Sequence, residues 1–254
     1  MKSRKRRIGI YWLPNLFTLT ALACGMYAVV LSTQGKYIDA CLFLIAAGVF
    51  DVLDGFVAKL TNSTSEFGAQ LDSLSDMVSF GVAPAFLAWS WSYEALGKDA
   101  SMVFFIFTAM TALRLSRFNT QIADKEKKMY FQGLPSPAGA MAVFSLVWLA
   151  ETYSLHQSYM SWVLLITSVM IALLMVSNIR YPGIKHLGRE KIPFVGLLAL
   201  LLIFVVIVSQ PALILTIGSI GYALFGIIYT LFLRRQRRIE RKLKNSNNHK
   251  QYVE

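Results

Sequence analysis

Phe50-Asp51-Val-Leu-Asp54-Gly55-Phe-Val-Ala58-Lys59, followed eight residues later by Gly68-Ala-Gln-Leu-Asp72-Ser-Leu-Ser-Asp76, sets four carboxylates inside or beside two apolar runs. The chain has only fourteen acidic residues, so the cluster is not a sampling effect of an acidic sequence. An aspartate at the centre of a membrane helix costs about 2.5–3.5 kcal/mol on insertion scales, which makes such a residue a functional candidate. Asp51 and Asp54 are three apart and Asp72 and Asp76 four apart, so each pair lies on one face of its helix. The link between Lys59 and Phe67 is short and rich in Thr, Asn and Ser. The two helices are therefore expected to be antiparallel neighbours whose acids converge at one end.

Four carboxylates at one point repel unless cations neutralise them. Oxygen donors without a nearby His or Cys suit Mg²⁺, Mn²⁺ or Ca²⁺ and argue against zinc. Mg²⁺ is usually held by one or two carboxylates together with substrate phosphates, so a phosphate-bearing ligand is expected. Gly55, Ala58 and Gly68 lie alongside. Small residues of this kind either admit a ligand or simply pack helices.

The surrounding composition places these helices in a bilayer. The 254 residues are 56% hydrophobic and only 15% charged, against about 25% charged in a soluble domain. Eight apolar runs are long enough to span, at about 13–33, 38–59, 68–92, 100–118, 136–152, 158–178, 192–209 and 211–233. The fold class expected is an all-α integral membrane protein of about eight transmembrane helices, since lipid leaves an open strand's backbone unpaired. Cys24 and Cys41 sit in apolar stretches without a disulfide pattern. The basic start followed by an apolar run has no small-x-small cleavage site, so it reads as an uncleaved first helix.

On this span assignment, 23 of the 25 lysines and arginines fall on one side and only Lys36 and Lys98 on the other. The positive-inside rule then puts both termini in the cytoplasm. Three segments follow: a basic cytoplasmic stretch at 1–12, a membrane domain at 13–233 and a basic cytoplasmic tail at 234–254. The last ten residues read as disordered. Nucleic acid is a poor partner for the net charge of +11, because the basic residues lack interleaved aromatics and adjoin apolar spans. Anionic headgroups fit them better. His156 and His186 read as interfacial or loop residues, and Tyr11, Trp12, Trp89, Trp91, Tyr93 and Trp162 as an interfacial aromatic belt.

The intervals Asp51-x-x-Asp54-Gly55-x-x-Ala58-Lys59, eight residues, Gly68-x-x-x-Asp72-x-x-x-Asp76 resemble the signature of the CDP-alcohol phosphatidyltransferase family. The one departure is Lys59, where the family usually has arginine; lysine keeps the charge but not the bidentate fork. Pro14-Asn15-Leu-Phe-Thr18 is similar to a motif of the wider family. Phe80-Gly81-Val82-Ala83-Pro84, Arg114-Leu-Ser-Arg117-Phe118-Asn119, Gly133-Leu134-Pro135-Ser136-Pro137 and Leu174-Met-Val-Ser177-Asn178-Ile-Arg180-Tyr181-Pro182 resemble its membrane-bound bacterial phosphatidylserine synthase branch. The likeness runs over about residues 13 to 185.

The resemblance implies an enzyme of the inner (cytoplasmic) membrane, active on the cytoplasmic side. It would move a phosphatidyl group from CDP-diacylglycerol to L-serine and release CMP. Asp51, Asp54, Asp72 and Asp76 would hold two divalent ions, and Asp76 would be the general base, or else a fourth metal ligand. Asn15, Thr18, Gly55, Ala58, Lys59 and Gly68 would line the CDP-lipid pocket. Arg114, Arg117 and Arg180 are the candidates for the serine carboxylate, with topological anchoring as the alternative for each. The resemblance also suggests a homodimer. Glycerol phosphate, inositol phosphate or choline as acceptor, and a cation transporter, are the competing readings.

Overall fold

The computed structural model describes residues 12–61, 63, 65–122, 130–182 and 209–251. The basic segment at 1–11, Lys125, Lys127 and Lys128, Lys185, His186, Arg189, Lys191 and the seventh span as far as residue 208 lie outside the described residues, as do the side chains of Arg180 and of 233–251.

Helices account for nearly all of what is described. In chain order they are α1 (Trp12–Thr33), α2 (Tyr37–Leu60), α3 (Glu66–Asp76), α4 (Ala83–Leu96), α5 (Lys98–Ile122), α6 (Ser136–Thr152), α7 (Gln157–Val176) and α8 (Pro211–Gln251). A six-residue π-helical turn, Met77–Val82, joins α3 to α4, so Glu66 to Leu96 is one winding rod. Five helices are long and apolar enough to cross a membrane: α1, α2, α5, α7 and α8 over Pro211–Phe232. The third hydrophobic stretch is the composite α3–π–α4 rod. The fifth is α6, only 17 residues, or about 25 Å at 1.5 Å per residue.

Packing explains why α6 can be short. Eleven of its residues are buried, among them Gly139, Ala140, Val143, Val147 and Ala150, so it is enclosed by other helices rather than by lipid. The core around it is rich in alanine: Ala28, Ala40, Ala83, Ala85, Ala88, Ala142 and Ala172 are all buried. In a bilayer, small side chains let backbones approach closely, and dispersion between them replaces the hydrophobic drive. The outer helices show the complementary pattern. Leu16, Val52, Phe105, Ile166 and Ile217 are exposed apolar side chains, as a lipid-facing surface requires.

Three features depart from the sequence reading. Tyr130–Gln132 and Arg180–Pro182 pair as a two-stranded antiparallel ribbon, with Phe131 opposite Tyr181. Both strands lie in connections outside the apolar spans, where the constraint against strands does not act. α8 continues to Gln251 rather than ending in a disordered tail; after Gly226 the sequence has no glycine or proline to stop it. Trp91 is 3% exposed, and its Nε1 donates to Glu151 Oε1 at 2.6 Å. It belongs to the core at the end of the bundle opposite the aspartates, whereas Trp12 and Trp162 are exposed.

The ribbon and the start of α6 are tied to the end of α7. Gly133 N donates to Ile179 O at 2.8 Å and Leu134 N to Leu174 O at 3.1 Å. Gly133 has φ 83°, and a Cβ there would collide with the Met175 carbonyl oxygen. Gly133→Ala is expected to lower stability by at least about 1–2 kcal/mol, the cost of a left-handed residue bearing a Cβ. Thermal unfolding in detergent, compared with the parent chain, measures it.

Candidate metal and phosphate site

α1 is the frame on which both acid-bearing helices are mounted. α2 packs along it, and the α3–π–α4 rod is hydrogen-bonded to it. Thr18 is the point where the two attachments meet. Its hydroxyl donates to Asp54 Oδ2 at 2.7 Å, with the Pro14 carbonyl 3.1 Å away. Its carbonyl accepts from Ser75 Oγ at 3.0 Å. One residue of α1 thus orients an acid on α2 and the helix that carries Asp72 and Asp76.

Asp51, Asp72 and Asp76 each offer an oxygen within 4.8 Å of the others'. These acids come from two helices that the chain reverses between, and all three are partly buried. Asp76 Oδ1 is buried and has no hydrogen-bond partner among the described residues. An orphaned carboxylate oxygen in such a place costs desolvation energy unless a cation meets it. The donor set is all oxygen, which suits a hard divalent ion. The trio could hold such a cation. Asp54 is not one of this trio: its Oδ2 accepts from Thr18, and it is 6% exposed.

Beside the trio opens a cleft of about 220 Å³, lined by residues that include Asn15, Thr18, Asp54, Gly55, Ala58, Lys59, Gly68 and Asp72. The six positions expected to contact a CDP-lipid are therefore gathered around one space. Asp54 and Asp72 face it from opposite helices. The two glycines differ in what they permit. A Cβ on Gly55 would meet nothing within 4 Å, so this face is open to a ligand. A Cβ on Gly68 would lie 3.3 Å from Asn15 Oδ1, so here the small residue admits the asparagine. Ser65 Oγ caps α3 by accepting from Gly68 N at 3.0 Å, which fixes the rim where Lys59 is exposed.

Two of the three candidate arginines can be described in full. Arg114 lies close enough to Asp76 to act on it electrostatically. It donates to the hydroxyl of buried Ser136 and stands 5.7 Å over the Phe118 ring. Arg117 reaches the other way, donating to Val176 O at 3.0 Å and to Asn178 Oδ1 at 2.5 Å. It satisfies an end carbonyl of α7, a role an arginine fills well. Arg180 is opposite Gln132 in the ribbon.

Several residues at the site, Ser136 and Asn119 among them as members of quoted motifs, were given no role from the sequence. Ser75 and Ser79 bind the rod to α1, Ser136 holds Arg114, and Asn119 Nδ2 donates to Ser73 Oγ at 2.9 Å, joining α5 to α3. Serine in a membrane helix carries no spacing signal that separates an interhelical donor from one bonded within its own turn.

Comparison with known proteins agrees with this geometry. Residues 11–174 match the family model for CDP-alcohol phosphatidyltransferase. A Helicobacter pylori protein named CDP-diacylglycerol–serine O-phosphatidyltransferase is 36% identical over 226 residues, covering 88% of this chain and 93% of the relative. Proteins of the same name from Methanocaldococcus jannaschii and Bacillus subtilis are 34% and 31% identical, covering 86% and 71% of this chain and 94% and 96% of theirs. With the matched segment spanning both aspartate helices and the cleft between them, this membrane protein belongs to the CDP-alcohol phosphatidyltransferase family.

Proposed function

We propose that this chain transfers the phosphatidyl group of CDP-diacylglycerol to the hydroxyl of L-serine, releasing CMP. The observation that carries the reading is the double position of Asp72. It is one of three acids close enough to share a cation, and it also lines the cleft formed by the motif residues. A diphosphate seated in that cleft would meet the acid trio directly. The choice of serine as acceptor is supported by the relatives that carry this activity in their names and align over more than nine-tenths of their length.

In this reading Asn15, Thr18, Gly55, Ala58, Lys59 and Gly68 receive the nucleotide and diphosphate. Lys59 supplies a point charge where the family's arginine supplies a fork. Two divalent ions, Mg²⁺ or Mn²⁺ with Ca²⁺ as a further option, would sit among Asp51, Asp54, Asp72 and Asp76. Bound there, they would neutralise the diphosphate and stabilise the entering and leaving oxygens. Asp76 takes the proton of the serine hydroxyl. The serine oxygen then bonds to the lipid-side phosphorus, the bridging P–O bond breaks, and CMP leaves with the electron pair. A base must be within about 2.6–3.2 Å of the proton it removes, or one water away. The orphaned Asp76 Oδ1 is the oxygen with no competing hydrogen bond among the described residues.

Arg114 is the first choice for the serine carboxylate, because it is within electrostatic reach of Asp76 and is held by a buried serine. Arg117 has donors engaged at the end of α7, which favours a structural role for it. In this reading the apolar runs make eight spans, the distribution of lysine and arginine supports termini and acid cluster on the cytoplasmic side, and the family resemblance suggests the inner membrane and a homodimer. The domain division at 1–12, 13–233 and 234–254 goes with that topology.

Asp51→Asn is expected to abolish CMP release while leaving the protein inserted and folded; chelation of divalent metal should do the same to the parent chain. Full serine-dependent CMP release in either case would exclude the metal-clamped reaction and bring back the transporter reading. Arg114→Ala should raise the KM for serine by at least tenfold, about 1.4 kcal/mol, with the KM for CDP-diacylglycerol unchanged. Arg117→Ala should leave both constants near the parental values and lower the thermal midpoint instead. Competition of serine against glycerol phosphate, inositol phosphate and choline identifies the acceptor.

A further inference from the structure

The α3–π–α4 rod runs parallel to α1 and is attached to it by three serine hydroxyls along its length. Ser75 Oγ donates to Thr18 O at 3.0 Å, Ser79 Oγ to Ala21 O at 3.2 Å and Ser90 Oγ to Ser32 O at 2.9 Å. From Ser79 to Ser90 and from Ala21 to Ser32 the two helices advance in step, eleven residues each. Between Ser75 and Ser79 the rod uses four residues where α1, from Thr18 to Ala21, uses three. In this region lies the π-turn Met77–Val82, whose widened bond spans five residues rather than four and so inserts one residue into the rod.

The local chemistry explains why the extra residue sits there. Pro84 has no N–H, so it cannot return the usual bond to the carbonyl of Phe80. The preceding amide, Ala83 N–H, bonds instead to Val78 O, five residues back. The turn is then gripped on two sides. A Cβ on Gly25 of α1 would lie 2.9 Å from Ser79 Oγ and 3.0 Å from Ser79 Cα, and one on Gly81 would lie 3.1 Å from Thr111 Cγ2 of α5. Thr111 is fully buried. Close approach from both neighbours leaves the π-turn no room to migrate along the rod.

One residue in an α-helix is about 100° of rotation. With α4 seated against its neighbours, the extra residue decides which way everything upstream of the turn faces. Asp76 is the residue immediately before it, and Asp72 is one turn earlier. We infer that the π-turn Met77–Val82 is a positioning element that sets the helical phase of Asp72 and Asp76, turning both carboxylates toward Asp51. Single-turn π insertions recur at functional sites for this kind of geometric reason. The inference rests on the reading of the acid trio as a metal site, and it adds that the number of residues in a turn held in place by Gly25, Gly81 and Pro84 sets where the acids upstream face.

The test uses three variants of the full-length chain in detergent, with Mn²⁺ alone as the probe, read by electron paramagnetic resonance, and CMP release measured in parallel. Deletion of Val82 removes the inserted residue. It should weaken Mn²⁺ binding by about 10–100-fold and lower turnover by about 100-fold or more. The substitution V82A keeps the count and should leave both near the parental values. Insertion of one alanine between Asp76 and Met77 leaves Met77–Val82 in place against Gly25 and Thr111 while turning Asp72 and Asp76 by one residue, and it should weaken Mn²⁺ binding by the same order even if the deletion fails to fold. Retention of Mn²⁺ affinity by the deletion or by the insertion overturns the inference. Absence of Mn²⁺ binding by the parent chain would overturn the metal site itself, a distinguishable result.

Discussion

Mutual repulsion among Asp51, Asp72 and Asp76 is the constraint around which this membrane domain is built. Two unit charges 4 Å apart interact by about 4 kcal/mol at an effective dielectric of 20, and these oxygens lie within 4.8 Å of each other. Few elements of the fold could tolerate such a contact without being held from behind. The holding is done by hydrogen bonds that do not involve the trio itself: Ser75 and Ser79 to α1, Asn119 to Ser73, and Thr18 to Asp54. The carboxylates can then remain poorly satisfied, as Asp76 Oδ1 is, and available to cations and phosphate.

The division of labour among the helices follows from that. α1 acts as the fixed reference, with small residues Gly25 and Ala28 letting its neighbours close on it. α6, sealed from lipid, fills the middle of the bundle and presents Ser136 to Arg114. α5 carries Arg114 and Arg117, which share one end of the bundle yet have different partners: Arg114 bonds Ser136 within electrostatic reach of Asp76, and Arg117 bonds the last turn of α7. Charge of one sign near the membrane face thus serves two purposes that a positive-inside count cannot separate.

The sequence by itself determined the helical class and the two acid-bearing helices, while the residues of the cleft were legible only through the family resemblance. The reason is that lipid forces helices, mid-helix aspartates are too costly to be idle, and intervals of three and four residues fix a face. What only the tertiary structure decided was relative phase and partnership. Spacing put all four aspartates near one another, but it could not tell that Asp54 would turn to Thr18 while the other three met, since that depends on where α1 lies. It could not separate Arg114 from Arg117, which are three apart on one helix and differ only in what faces them. Nor could it place Trp91 in the core rather than at the interface. Phe80-Gly81-Val82-Ala83-Pro84 was legible as a motif, but an extra residue in a helix has meaning only against a neighbour of known register, and α1 supplies that comparison through contacts 57 and 58 residues distant in sequence.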